Sequence, residues 1–417
     1  MPPANASSDP RLAAARILGR VEARGAHAAR LLSDEPPLTR ELVLGSLRWQ
    51  ATLDALLAPA SSRPLASLDP AVRAVLRAGL YEARRLDTPV PVAVAEAVRV
   101  AKIVAPRAAG LVNAVLRRAA VAAWPDPEDE RLPLALRTSH PEWLVARWLA
   151  LLGEPAARAA LVADQQPAPL ALYGAADEIE ALRRAGGVIE PHPAVAGSWL
   201  VRGGAEQAVA AVRAGRVYAI DPSAVAVARV VPPVDGLVAD LAAAPGGKSL
   251  VLRRERPSVR HLALDRHPGR LALMRRNLGS AQGLVVADAV APPLRPGCCA
   301  AVLLDAPCSG TGTLRRHPEI RWRVGPGGLA GLAATQRQLA AAGAALLAPG
   351  GVLVYATCSL EPEENAAIVV GLGLEALPTG RLLTDDVARV DLPSGGVVIP
   401  PSADGDGFTV HALRRPA

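Results

Sequence analysis

Two cysteines stand fifty residues apart in nearly the same setting. Cys308 follows the apolar run of Val302-Leu-Leu-Asp305-Ala-Pro307-Cys308-Ser-Gly310, and Cys358 follows that of Gly351-Val-Leu-Val-Tyr-Ala-Thr-Cys358-Ser359. Apolar runs this continuous read as buried parallel strands, and ligands of open α/β sheets bind just beyond the strands' carboxyl ends. Both thiols are therefore expected in one cleft. A free thiol ionises near ~8.5, so nucleophilic use requires surroundings that favour the thiolate. Lys248 is a candidate for that task.

A second motif, Asp240-Leu-Ala-Ala-Ala-Pro245-Gly246-Gly247-Lys248-Ser249, follows an apolar run and opens a helical pattern. Its glycines permit close backbone approach, and the helix start presents N–H groups to an anion. Two readings compete. Gly-Lys-Ser suits a Walker A phosphate loop, with the run ending at Asp305 as its Walker B strand; but that loop wants glycine at position 242, which is alanine. The alternative is a nucleoside cofactor. Asp265, ending the second run, is placed for both ribose hydroxyls, with a helix cap as its competing role. Asp288, after Gly283-Leu-Val-Val-Ala287, is placed for an adenine amino group. One acid per strand describes S-adenosylmethionine better than a dinucleotide, which would usually show G-x-G-x-x-G.

That cofactor gives the cysteines a task. Carbon 5 of cytosine is a poor nucleophile until a thiolate adds to carbon 6 and pushes electron density into the ring. After carbon 5 takes the methyl group, a base must remove its proton so that the thiolate can leave. One cysteine as nucleophile and a second group assisting release fit this cycle. Cys298 and Cys299 are read instead as small apolar filler.

The supporting elements must place these groups. At 417 residues, with 51% hydrophobic and 20% charged residues, the chain reads as globular with two or three domains. Only Lys102 and Lys248 among its 46 basic residues are lysine. Residues 1–125 carry 17 basic against 10 acidic residues, the whole +7 excess, while the remainder carries 29 of each. Such a segment is expected to meet a polyanion; arginine kept for solubility is the competing reading. The four cysteines, without zinc-like spacing or a signal-like start, predict a reducing, cytoplasmic setting and no metal. The uncharged stretch 339–360 is broken by Pro349-Gly350-Gly351, so no membrane segment is expected.

In chain order, 1–10 reads as disordered and 11–125 as an all-α bundle of five or six helices. Residues 126–165 read as a linker and two helices, and 166–218 as a small α/β subdomain. From 219 to 417 apolar runs end at Asp240, Asp265, Asp288, Asp305 and Cys358, with helical patterns between several. This predicts a doubly wound, Rossmann-like parallel sheet. Asp404-Gly-Asp-Gly-Phe408-Thr-Val-His-Ala-Leu413 reads as its closing hairpin.

Three stretches, Leu76–Glu82, Pro91–Lys102 and Leu111–Leu116, resemble the NusB RNA-binding domain. The runs Asp305-Ala-Pro-Cys308-Ser-Gly-Thr-Gly-Thr-Leu-Arg315-Arg316-His317-Pro318-Glu319 and Tyr355-Ala-Thr-Cys358-Ser-Leu-Glu361-Pro-Glu363-Glu364-Asn365 resemble the two catalytic motifs of the Sun/RsmB family of RNA 5-methylcytosine methyltransferases. The resemblance covers most of 219–417, and the helical start extends it to the 16S rRNA branch. It implies Cys358 as nucleophile and Cys308 as the group assisting release; related DNA enzymes use the Pro-Cys cysteine as nucleophile. It also implies cofactor contacts from Ala242, Ala243, Ala244, Pro245, Gly246, Gly247, Lys248, Asp265, Asp288 and Asp305. Position 242 is often cysteine in the family and is alanine here, where backbone contact suffices. The target base must leave its stack, so loop or single-stranded RNA is expected. Arg315, Arg316, Arg321 and Arg323 are candidates to hold its phosphates, against ordinary surface solvation. The expected protein is a monomeric methyltransferase acting on 16S rRNA. A tRNA substrate, or a non-catalytic RNA-binding or ribosome assembly role, are the alternatives.

Overall fold

The computed structural model describes residues 9–126, 128–383 and 385–417. The chain divides into two compact units, one of residues 1–165 with 314–323, the other of 166–313 with 324–417. Of the start expected to be disordered, residues 1–8 lie outside the described residues. Asp9 and Pro10 instead open the first helix, with Asp9 Oδ1 accepting from Arg11 N and Leu12 N. An aspartate before proline supplies both an acceptor for free N–H groups and a residue that needs no partner.

The first unit is helical. Its longer helices span Pro10–Arg24, Pro37–Arg48, Gln50–Ala60, Pro70–Arg85, Val90–Val104 and Ala109–Ala119, followed by Glu142–Leu152 and Glu154–Ala163. In Pro70–Arg85, Asp69 caps Ala71 N at 2.8 Å, and Val72, Val75, Leu76 and Leu80 form a buried apolar stripe. Helices Pro37–Arg48 and Gln50–Ala60 meet at Trp49, whose buried ring packs edge-on against Trp124 at 5.3 Å. Gly45 is required because a Cβ there would lie 2.0 Å from Tyr81 Cζ.

Ten residues that follow the Pro-Cys motif, 314–323, belong to this helical unit and correct one expectation. Arg315 and Arg321 are both buried at 1% exposure, so neither can hold a phosphate at the surface. The Arg321 guanidinium donates through Nη1 to Arg48 O (3.1 Å) and Ser139 O (3.0 Å), and burial pulls its pKa down to about 10. Arg48 Nη2 in turn donates to Arg315 O at 3.2 Å, and Trp322 Nε1 donates to Leu47 O at 2.7 Å. Two of four candidate phosphate ligands are therefore buried, and Arg321 braces the helical unit from within. Arg316 is half-buried, and Arg323 is exposed, with Nη1 2.9 Å from His27 Nδ1.

The second unit carries two sheets. A four-stranded antiparallel sheet, ordered Val188–Pro191, Ser198–Gly203, Leu170–Tyr173, Tyr218–Ala219, packs with helices Ala176–Arg184 and Ala205–Arg213. The large sheet has nine strands among the described residues. Its order is Val390–Asp391, Val397–Ile399, Phe408–Arg414, Leu347–Thr357, Cys299–Asp305, Leu237–Asp240, Arg260–Asp265, Leu284–Val286, with Glu375–Ala376 pairing beside Phe408–Arg414. The five strands from Leu347–Thr357 to Leu284–Val286 are parallel and the rest antiparallel. The last strand stops at Val286, two residues short of Asp288. Cys299 is buried as expected, but Cys298 is exposed and is not core filler.

Replacing Arg321 by alanine leaves three buried carbonyls of the helical unit, those of Arg48, Ser139 and Asp164, without this donor. The expected loss is about 3 kcal/mol of unfolding free energy, from acceptors left unsatisfied, measured by chemical denaturation. RNA affinity of the folded variant should stay unchanged; weaker binding at full stability would restore Arg321 as a ligand.

Candidate active site

The two central strands position the cysteines. Cys299–Asp305 and Leu347–Thr357 pair in parallel with Asp305 opposite Ala356, so the residues that follow emerge at the same end of the sheet. Cys308 Sγ lies 3.4 Å from Cys358 Sγ. The loops bearing them are stitched directly: Gly312 N donates to Cys358 O (2.8 Å), Leu360 N donates to Thr311 Oγ1 (3.1 Å), and the Ser309 and Ser359 hydroxyls lie 3.1 Å apart. Gly312 has no substitute, because a Cβ would sit 2.2 Å from Gly407 O. Asn365 Nδ2 donates to Ser359 O and Glu361 O, both at 2.9 Å, closing the turn after Cys358.

The thiols are not equivalent. The contact with Cys358, then burial, then nearby negative charge from Glu364 and Asp305 push the Cys308 thiol well above its usual range. The two sulfurs are within hydrogen-bond distance, and either can be the donor. Lys248 Nζ forms a 2.7 Å ion pair with Asp305 Oδ2 and lies 4.8 Å from the centre of the Phe408 ring. Burial alone would lower the ammonium's pKa; the Asp305 carboxylate outweighs it and holds Lys248 above its ordinary value.

The glycine loop forms the wall of a neighbouring cavity of about 180 Å³. Ala242, Ala243, Ala244, Pro245, Gly247, Lys248 and Asp305 line it, opposite Tyr218 and Ile220. Gly246 shapes the turn at φ +104°, where a Cβ would lie 2.7 Å from Met274 Cγ. A Cβ on Gly247 would lie 2.7 Å from Ile220 Cδ1 and 3.1 Å from Tyr218 Cε1, filling the cradle. Asp240, also lining the cavity, is buried; Ser249 Oγ donates to its Oδ2 at 2.6 Å, and its Oδ1 has no partner among the described residues. A buried acceptor without a donor, beside a Cβ-free cradle, fits a polar nucleoside-type ligand.

Asp265 and Asp288 do not line this cavity. Asp265 is buried, and its Oδ1 accepts from His267 N (2.8 Å) in the turn before helix Pro268–Leu278, without capping that helix. Asp288 is exposed, and its Oδ1 accepts from Val290 N at 2.9 Å. The sequence reading gave no role to Tyr218, Ile220, Gln336 or Glu364. Gln336 carried a signal: it falls within the stripe Leu329, Ala333, Gln336, Ala340, Gly343 on helix Leu329–Leu346, all buried. An amide on a buried helix face must have partners. Among the described residues no group of three or more His, Cys, Asp and Glu is placed to hold a metal. No described helix is long and apolar enough to cross a membrane.

A parallel sheet with a glycine loop on one strand end and paired thiols on the next two defines a Rossmann-like methyltransferase domain, here accompanied by a helical domain. The model of the family described as 16S rRNA methyltransferase RsmB/F matches residues 227–414, and that of the NusB family matches 8–121. A Mycobacterium tuberculosis protein designated a methyltransferase, Rv1407, is 33% identical across 97% of this chain and 96% of its own length. Ribosomal RNA small subunit methyltransferase B of Yersinia pseudotuberculosis is 31% identical across 89% and 88%. The crystal structure of PH0851 superposes with a TM-score of 0.76 at 22% identity, covering 98% of this chain and 99% of that one. A methyltransferase homolog from Pyrococcus horikoshii gives 0.55 at 24%, covering 67% and 97%. The chain belongs to the RsmB/F family and is an RNA methyltransferase.

Burial pushes the Asp240 acid up to about 7 from an ordinary 3.8. Between those values the folded protein binds more protons than the unfolded chain, so this group's contribution to stability falls as pH rises through that window and is level above it. Asp240→Asn should shrink the difference between thermal unfolding temperatures at pH 5 and pH 8 in the ligand-free protein. An unchanged difference would contradict the assignment.

Proposed function

We propose that the protein methylates carbon 5 of one cytosine in 16S rRNA, in the cytoplasm, through a covalent cysteine–cytosine adduct and with S-adenosylmethionine as donor. The observation that carries this reading is the 3.4 Å contact between Cys308 and Cys358 beside the loop 242–248. The substrate class follows the small-subunit rRNA enzyme of Yersinia pseudotuberculosis, which aligns over most of this chain.

S-adenosylmethionine, when bound, supplies an electrophilic methyl group. Ala242–Lys248 would cradle it, with Asp240 Oδ1 as acceptor; Asp265 and Asp288 would have to reach it from outside the cavity described above. Asp305 stands between this cavity and the thiols and, held by Lys248, is placed to face the target base. The Cys358 sulfur adds to carbon 6 of the cytosine, and the electron pair moves to carbon 5, which takes the methyl group. Before addition the contact with Cys358 Sγ is the largest influence holding a proton on Cys308. Once that sulfur is a thioether it is a poorer acceptor, so the largest influence holding the proton on Cys308 is removed. The Cys308 proton passes to solvent, and the resulting thiolate is the base positioned to take the carbon 5 proton. Loss of that proton restores the carbon 5–carbon 6 double bond as the sulfur–carbon 6 bond breaks, returning Cys358. Arg316 and Arg323, together with the excess positive charge of residues 1–125, are the proposed phosphate contacts.

Bisulfite sequencing of rRNA and tRNA from cells with and without the gene tests the substrate: one 16S rRNA cytosine should lose its mark, and loss confined to tRNA would move the substrate there. With RNA and donor, Cys308→Ala should accumulate a covalent protein–RNA band on a denaturing gel, and Cys358→Ala should form none. The opposite pattern would exchange the two roles. Gly246→Ala should weaken S-adenosylhomocysteine binding at least ~10-fold by calorimetry, since both the backbone angle and Met274 oppose a Cβ. Unchanged affinity would remove the loop from the donor site.

A further inference from the structure

A charged side chain beside the thiol pair has no part in the reaction written above. Glu364, in the turn Pro362–Glu364 after the Cys358 strand, is fully buried. Its Oε1 accepts from Ser309 N at 2.8 Å and from Gln336 Nε2 at 3.2 Å, and its Oε2 accepts from Ser309 Oγ at 2.5 Å. Gln336, equally buried, also donates from Nε2 to Pro307 O at 2.9 Å. The residues immediately before and after Cys308 are each held by one member of this Glu–Gln pair. With both neighbours fixed, the thiol keeps essentially its χ1 rotation.

Burying a carboxylate is costly unless hydrogen bonds compensate, and an apolar residue could fill the same space without that cost. The groups compensating Glu364 come from the Cys308 loop and from Gln336. The turn at Cys358 is held by Gly312 N and by Asn365. The clamp thus grips both neighbours of Cys308 directly and reaches the Cys358 turn only through the Ser309–Ser359 hydroxyl contact. Behind the Cys358 contact and burial, the Glu364 charge also favours the protonated Cys308 thiol.

We infer that Glu364 and Gln336 are positioning residues for the release half of the reaction: by holding Ser309 and Pro307 they aim the Cys308 thiol at Cys358 Sγ and, after addition, at the carbon 5 proton. The inference rests on the covalent reading above. It assigns the pair no contact with RNA or donor, so binding and addition should survive its loss while release slows.

The test uses the full-length protein with 16S rRNA and S-adenosylmethionine. Glu364→Ala and Gln336→Ala should each lower kcat, by about 100-fold for Glu364→Ala, the scale of a lost acid–base contribution. Both KM values should stay within about twofold, and a covalent protein–RNA band should accumulate, as a release defect requires. Glu364→Gln keeps an acceptor for Ser309 N and should recover about tenfold of the lost rate. Should Glu364→Ala not fold, Gln336→Ala decides, because it leaves both Ser309 contacts to Glu364 in place. Unchanged kcat, or lost kcat without the covalent band, overturns the clamp. If Cys308→Ala traps a band and the clamp variants do not, the clamp alone fails. If Cys308→Ala traps none while the unaltered protein methylates RNA, the covalent reading fails and the inference falls with it.

Discussion

The register between strands Cys299–Asp305 and Leu347–Thr357 is the constraint on which the site depends. Both strands are covered on both faces: Val302, Leu304, Leu353 and Tyr355 enter one core, and Ala301, Leu303, Val352 and Val354 the other. A slip of one residue would exchange the two sets between cores of different shape. Dense apolar packing, indifferent to chemistry, thereby sets the distance between two sulfur atoms. Only past the strand ends do polar contacts take over.

Those contacts solve an electrostatic problem. Two adjacent thiols, two nearby carboxylates and an ammonium occupy a largely dry pocket, where an unpaired charge is expensive. Lys248 is matched to Asp305, and Glu364 is matched to amide and hydroxyl donors. The contact with Cys358, burial and the nearby carboxylates push the Cys308 thiol up, which distinguishes its surroundings within a pair of the same residue type. The 10-residue segment 314–323 shows the same economy elsewhere: buried guanidiniums serve backbone carbonyls, because an arginine fork reaches several acceptors at once.

The sequence was most legible where patterns are local. Apolar runs ending at Asp240, Asp265 and Asp305 are strands with those last residues, whereas the stretch 339–360 changes from helix to strand at Leu346/Leu347 and Pro349-Gly350-Gly351 lies within the strand. Legibility failed where a residue's role is set by a distant neighbour. Arg315 and Arg321 look like surface cations in a basic run, yet Arg321's acceptors are Arg48 and Ser139, far away in the chain. Asp265 sits at a strand end as expected, but its carboxylate is taken up by the turn to the next helix.

From residue types and spacing alone, the chain determined its helical start, its parallel sheet, its glycine loop and its two motif cysteines. Each depends on periodicity or turn chemistry within a few residues. Only tertiary structure decided that the sulfurs lie 3.4 Å apart, that Glu364 and Gln336 grip the loop between them, and which arginines are internal. Those outcomes depend on burial and on partners 28 to 273 positions apart, and burial is a property of the packed molecule, not of any stretch of chain.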